Sequence, residues 1–145
     1  MFKLPMIFNV SSSAGLGIDE IWHSRGNEAE ASPIECSIPP EFNGAGNAYS
    51  PEDLFTLSVL TCLISTYKVF CSKMNVSYKS IDGKASLYID KNPQGGIGFT
   101  KMEINIKVTG SSDREKGKKL LEDAKKNCMV ANAVKIEMHF QYEVE

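Results

Sequence analysis

Two of the four cysteines in this 145-residue chain, Cys62 and Cys128, lie where ordinary packing explains a cysteine poorly. Cys62 falls deep in an apolar stretch that a proline–glutamate pair opens ten residues earlier. Cys128 closes an amphipathic stretch and begins a short patch of small residues. Helix-borne thiols in a chain with no disulfide scaffold favour redox chemistry over a permanent crosslink. Spacing alone does not show whether the two sulfurs meet.

The simpler interpretation of a free cysteine is a small buried hydrophobe, and for Cys36 and Cys71 we accept it. Nine helical steps of about 100° place Cys71 on the opposite side of its helix from Cys62. Whatever Cys62 faces, Cys71 therefore faces away from it.

Neither metal ligands nor a nucleotide motif is evident in the sequence. There is no C-x-x-C pair, and His23 and His139 stand far apart, so we expect no metal site. The glycine-containing stretch 42–49 lacks both dinucleotide-loop spacing and a Gly-Lys-Ser/Thr triplet. It is interpreted as a close-packed turn before a helix, and no cofactor is expected.

The composition is ordinary, with 42% hydrophobic residues, 23% charged residues and a formal net charge of −2. Without a basic excess, we expect no nucleic-acid partner and no anionic membrane surface. The N-terminus lacks the features of a signal peptide, and the apolar stretch 54–70 is interrupted by serine, threonine and lysine. We expect a cytoplasmic protein with a single domain over residues 1–145.

Two helices must position the cysteines. Ser50 is a good N-cap, Pro51 suits the first turn, and Glu52 and Asp53 place negative charge at the positive end of the helix dipole. This helix should run to about Lys73. Apolar residues occupy nearly all its sides, which predicts burial either centrally in the domain or against a partner subunit.

The second helix should follow a cap at residues 111–113. It carries one apolar stripe, which Cys128 extends by four residues. The stripe consists of Gly117, Leu120, Leu121 and Ala124.

Strand patterns surround both helices, and we expect strands within residues 7–10, 20–23, 34–38, 84–89, 102–108 and 134–144. The last two alternate apolar and polar residues along their length. The predicted fold class is α+β, with antiparallel sheets wrapping two long central helices.

Four motifs, in order and approximate spacing, resemble the Ohr/OsmC family of organic hydroperoxide resistance and osmotically inducible proteins. They are Phe42-Asn-Gly-Ala-Gly46, Ser50-Pro-Glu-Asp-Leu-Phe55, Thr61-Cys62, and the segment from Ala124 to Ala133 that contains Cys128 and Asn132. The resemblance covers most of the chain from about Ser37 onward. It implies an OsmC-like fold and an intertwined homodimer with two active sites at its interface.

The resemblance also implies the chemistry of the two cysteines. Cys62 would be the peroxidatic residue, whose thiolate attacks an organic hydroperoxide and becomes a sulfenic acid. Cys128 would be the resolving residue that closes a disulfide, which a dithiol such as a lipoylated protein then reduces. Apolar walls would favour an alkyl or lipid hydroperoxide over hydrogen peroxide. The expected walls are Leu54, Phe55, Val59, Leu63 and Met129.

The family further uses an arginine to stabilise the thiolate and a glutamate to orient it. The glutamate matches Glu52. Of the two arginines in the chain, Arg114 falls in an exposed first helical turn, so Arg25 is the expected partner. Ten helical residues separate Glu52 from Cys62 by about 15 Å, a gap that Arg25 or a partner subunit must bridge. We therefore expect a C2 homodimer.

The sequence departs from the family pattern at three positions. Met129 stands in place of proline, Ser50 in place of asparagine and Thr61 in place of a small apolar residue. Two other functions therefore stay open. One is a non-catalytic dimeric binding module with an apolar interface pocket. The other, an acyl-thioester-handling protein, is weaker because the helix has no catalytic acid at the expected place.

Overall fold

The computed structural model describes residues 2–28 and 30–145, which form strands of 3 to 13 residues, one long helix and two shorter helices. The elements are β1 (Val10–Ser13), β2 (Trp22–Gly26), β3 (Ile34–Cys36), α1 (Pro51–Lys73), β4 (Ser80–Lys91), β5 (Ile97–Thr109), α2 (Arg114–Asn127), α3 (Met129–Ala133) and β6 (Glu137–Val144). They fall into two compact units, one up to Leu54 and one from Phe55 onward. That residues 1–145 act as one domain stays a prediction.

The first unit holds an antiparallel sheet in the order β1-β2-β3. The chain then turns tightly before α1, and the buried hydroxyl of Ser37 donates to the carbonyl of Gly46 at 3.0 Å. A side chain on Gly44 would overlap the backbone carbonyl of Ile38. The glycine-containing stretch is therefore a close-packed turn, as the sequence predicts.

Helix α1 begins and ends where the sequence places it. The Ser50 hydroxyl accepts from the Asp53 backbone N–H at 3.0 Å, and the Asp53 carboxylate accepts from the Ser50 N–H at 3.0 Å. These reciprocal bonds satisfy donors that the first turn would otherwise leave unpaired.

The second unit holds the sheet β4-β5-β6, and one expectation about it is wrong. Strands β4 and β5 form an antiparallel hairpin, but β6 pairs parallel to β5. The connection between β5 and β6 passes through α2 and α3, and a crossover of this length brings the chain back in the same direction. The sheets are thus not antiparallel throughout.

One face of α1 packs on this sheet, where Gly83 of β4 leaves room for Leu60. The core joins that face of α1 to β5 and α2, and it includes Leu120, Leu121 and Ala124 of the predicted α2 stripe, with Cys128. Gly117, the first residue of the stripe, is buried as well. The fully packed residues of α1 are Val59, Leu63, Tyr67 and Cys71.

The remaining sides of α1 are not buried within the chain. Leu57 and Val69 are 39% and 49% exposed. The sequence predicts that α1 is buried either within the domain or against a partner subunit. Burial within the domain accounts for only one face of the helix. By length and composition α1 could also cross a membrane, a property that helices of soluble proteins share.

Candidate active site

The structure brings together the two cysteines that the sequence singled out. The Cys128 thiol lies near enough to the side chain of Cys62 for the two to interact, and Cys62 packs against the core of the second unit to which Cys128 belongs. Cys128 is completely buried, whereas Cys62 is half-buried. Of the two sulfurs, that of Cys62 is therefore the more accessible.

Cys128 occupies the junction between α2 and α3, being the C-cap of one helix and the N-cap of the next. Its sulfur accepts a hydrogen bond from the backbone N–H of Ala131 at 3.4 Å. Its carbonyl accepts from the N–H of Asn132 at 3.0 Å. The side-chain amide of Asn132 in turn donates to the carbonyl of Lys126 at 2.9 Å. Hydrogen bonds therefore hold the chain on both sides of Cys128, the resolving position predicted from sequence.

Burial and, to a smaller extent, the neighbouring Cys62 side chain raise the pKa of Cys128 to about 11, against the lowering effect of the Ala131 N–H. At neutral pH Cys128 therefore keeps its proton. A protonated thiol is a poor nucleophile but a hydrogen-bond donor, so Cys128 suits neither first attack nor metal binding. It can donate to the Cys62 sulfur, an interaction that strengthens when that sulfur carries negative charge.

The raised pKa of Cys128 predicts a pH-dependent stability. Between pH about 9 and about 11 the folded chain retains a proton that the unfolded chain releases, so the free energy of unfolding falls as the pH rises. Urea titrations across this pH range should show that the free energy of unfolding falls less steeply with pH in Cys128→Ser than in the parent protein. This variant removes the thiol and keeps a capping side chain. Identical slopes in the two proteins would contradict this assignment.

Cys36 and Cys71 are both buried, as the packing interpretation predicts. Cys36 contacts the Ser24 hydroxyl at 3.4 Å within the first unit. Burial raises the pKa of Cys71, which lies beside Tyr67 in the core. Both thiols are therefore explained without redox chemistry.

The predicted activating residues lie on different elements. Glu52 is half-buried in the first turn of α1. Arg25 lies on β2, paired in register with Ser11, and its side chain is exposed. Arg114 is the exposed first residue of α2. The roles of Glu52 and Arg25 stay predictions.

The expected apolar walls divide into two groups. Val59 and Leu63 lie entirely within the core, so they line no open surface. Phe55 stacks with Phe99 at a centroid distance of 4.9 Å, and Met129 is 82% exposed. Phe99 belongs to β5, and it was not named from the sequence as a partner of Phe55. In the described part of the chain, no group of three or more His, Cys, Asp or Glu side chains is arranged to hold a metal ion.

Solved structures share this fold. An OsmC-like protein of unknown function from Vibrio cholerae superposes with a TM-score of 0.82 at 18% identity, covering 94% of this chain and 99% of that one. An organic hydroperoxide resistance protein, OsmC, from Legionella pneumophila gives 0.73 at 17% identity, covering 99% of both chains. A putative organic hydroperoxide resistance protein from Vibrio cholerae, with captopril bound in one of the active sites, gives 0.71 at 23% identity and covers 99% and 95%. Identities this low show a shared fold only.

Sequence comparison places the chain in a family. An uncharacterised protein of Methanocaldococcus jannaschii is 29% identical over 90 residues, covering 61% of this chain. The matched segment spans 46% of that relative's length, so the chain corresponds to about half of it. Residues 44–143 match the family model described as OsmC-like protein. These residues include the helix of Cys62, the junction at Cys128 and the sheet beneath them, and the chain belongs to the OsmC-like protein family.

Proposed function

We propose that this protein is a cysteine-based reductase of organic hydroperoxides, with Cys62 as the peroxidatic and Cys128 as the resolving residue. The observation that carries the proposal is the contact between a half-buried Cys62 and a fully buried, hydrogen-bonded Cys128. Two neighbouring thiols, one of them accessible from outside, are the arrangement that a peroxidatic and a resolving cysteine require. Organic hydroperoxide resistance proteins among the structural neighbours share the fold.

The proposed reaction has two steps. The Cys62 thiolate attacks the terminal peroxide oxygen, the O–O bond breaks, and the alkoxide takes a proton to leave as an alcohol. Cys62 is then a sulfenic acid. In the second step the Cys128 sulfur attacks the Cys62 sulfur, an S–S bond forms, and the sulfenic oxygen leaves as water with the Cys128 proton. The hydroperoxide is reduced by two electrons, and the two thiols are oxidised.

Activation of Cys62 needs a nearby positive charge, because an ordinary thiol is mostly protonated at neutral pH. By family resemblance we assign that charge to Arg25, oriented by Glu52. The regenerating partner is a dithiol reductant, such as a lipoylated protein. The substrate is an alkyl or lipid hydroperoxide, and the reaction takes place in the cytoplasm.

The proposed active form is a C2 homodimer that covers the open side of α1. That side is apolar at Leu57 and Val69, and its hydroxyl groups bond back to the helix's own carbonyls. Thr61 donates to the Leu57 carbonyl at 2.7 Å, and Ser65 donates to that of Thr61 at 2.7 Å. A partner can therefore cover this side without leaving these hydroxyls unpaired. The first unit also exposes large apolar side chains at Phe2, Leu4, Ile7, Phe8, Val10 and Leu16.

Light scattering on a dilution series should give twice the 16.0 kDa chain mass. Val69→Glu should weaken the dimer, because it places a charge on the apolar side of α1. Lys118→Glu, at an exposed position on α2 and not on α1, is the control and should stay dimeric. A parent protein that is a stable 16.0 kDa monomer at every concentration would exclude the dimer.

Thiol counting tests the activity itself. Reduced protein mixed with one equivalent of cumene hydroperoxide should lose two thiols per chain and release one equivalent of alcohol. Peptide mapping should find the disulfide between Cys62 and Cys128. Unchanged thiol content, with the peroxide intact, would reject the proposed function.

That negative result would favour the second candidate, a non-catalytic dimeric binding module with an apolar interface pocket. The observation in its favour is the exposure of the Arg25 side chain on β2. Binding of an apolar ligand without thiol loss would support it.

A further inference from the structure

We propose that Asn132 is a positioning residue for the second chemical step, holding Cys128 ready to close the disulfide. The inference rests on the proposed function, because it concerns how the resolving thiol reaches Cys62. It assigns a role to a residue that touches neither sulfur. Asn132 acts through the backbone on both sides of Cys128.

Asn132 donates two hydrogen bonds that close the short turn containing Cys128, and we call this pair of bonds the clamp. The side-chain amide of Asn132 donates to the carbonyl of Lys126, two residues before Cys128, at 2.9 Å. The backbone N–H of the same residue donates to the carbonyl of Cys128 at 3.0 Å. The turn containing Cys128 is thus closed from both directions by a single residue.

The side chain of Asn132 supplies a hydrogen-bond donor to a backbone carbonyl that the C-terminal end of a helix would otherwise leave unpaired. The last carbonyls of α2 have no partner within the helix, and Lys126 supplies one of them. By pairing with it, Asn132 ties the end of α2 to the short α3. The sulfur of Cys128 then stays at the N-cap position, where it accepts from Ala131 and contacts Cys62.

This chain depends on the clamp because the first residue of α3 is Met129. A proline at that position would preset its φ angle, whereas methionine does not. Cys128 has φ −72° and ψ 108°, an extended conformation that a following proline favours. In the absence of that proline, side-chain hydrogen bonding is what fixes the turn.

The test separates the two steps in a single turnover. After oxidation with one equivalent of cumene hydroperoxide, dimedone labelling follows the Cys62 sulfenic acid, and thiol loss follows disulfide closure. For Asn132→Ala we expect closure to slow by roughly five- to tenfold, the worth of one hydrogen bond, with the rate of sulfenic acid formation unchanged. With excess peroxide, more Cys62 should reach the sulfinic acid, because the intermediate lasts longer.

Two further variants make the test specific. Asn127→Ala removes a similar bond, from that side-chain amide to the Asp123 carbonyl at 2.8 Å, which lies within α2 and does not span the turn. It should close at the parental rate. Adding Met129→Pro to Asn132→Ala should restore much of the lost rate of disulfide closure, because the proline ring restricts the φ angle at the first residue of α3. If Asn132→Ala acted only by lowering the overall stability of the protein, Met129→Pro would not restore the closure step selectively.

The outcomes distinguish this inference from the proposed function. Closure at the parental rate in Asn132→Ala, or in Asn132→Asp (which keeps the shape and removes the donor), overturns the positioning role. Equal slowing of both steps also overturns it. Absence of any sulfenic acid or disulfide in the parent protein rejects the proposed function itself.

Discussion

Replacement of Cys62 by serine is expected to abolish the consumption of cumene hydroperoxide, a loss of at least about a thousandfold. Serine is nearly isosteric with cysteine, but its hydroxyl does not ionise near neutral pH and cannot take the place of a thiolate. The remaining thiols are buried, so none should substitute for it. The measurement is peroxide remaining with time, together with free thiols per chain.

Cys71→Ser is the matched control, because it lies on the same helix and in the core. It should consume peroxide like the parent. Cys128→Ser should consume one equivalent and stop at the Cys62 sulfenic acid. A disulfide in that variant would make Cys36 or Cys71 the resolving residue. Parental turnover by Cys62→Ser would show that the roles are assigned wrongly.

Gly44→Ala should lower the free energy of unfolding by about 2–3 kcal/mol. The added methyl group would overlap the backbone carbonyl of Ile38, and backbone cannot yield as a flexible side chain can. The same turn is tied by the bond from the Gly44 N–H to the Pro39 carbonyl at 3.1 Å. Moving it would therefore break more than one interaction just before the cap of α1.

Gly98→Ala provides the comparison. The nearest atom that its methyl group would meet is the side-chain nitrogen of Asn92 at 3.8 Å, an ordinary contact. Urea denaturation should therefore place the midpoint of Gly98→Ala near that of the parent and that of Gly44→Ala well below it. Coincident midpoints for all three proteins would refute the close-packed turn.

The sequence predicts best the elements that local interactions define. The start of α1 follows from Ser50 and Asp53, which cap it through bonds within four residues, and the structure confirms it. The apolar stripe of α2 is also confirmed, because helical spacing alone places its residues on one face. The strands of the first unit were misplaced by up to three residues, because their alternation is weak. The parallel pairing of β6 depends on how the α2–α3 connection crosses the sheet, which no local pattern records.

The candidate site shows the same division. Cys62 and Cys128 are identifiable from sequence, but their contact is a property of tertiary packing that spacing does not contain. The clamp by Asn132 escaped prediction as well. Asn132 belongs to a patch that is recognisable in the sequence. Its side-chain hydrogen bond, however, goes to a backbone carbonyl six residues earlier, and no pattern of side chains in the sequence indicates such a bond.

The complete burial of Cys128 has a consequence for how the proposed disulfide would be reduced. An external thiol can approach the Cys62 sulfur far more easily than that of Cys128, so exchange should run through a mixed disulfide on Cys62. Cys128 is then the leaving group, and a thiol whose pKa is about 11 leaves slowly. Simple monothiols should be inefficient at this step, because the mixed disulfide reverts. A dithiol, whose second sulfur traps the mixed disulfide before it reverts, is the kind of electron donor that this arrangement favours.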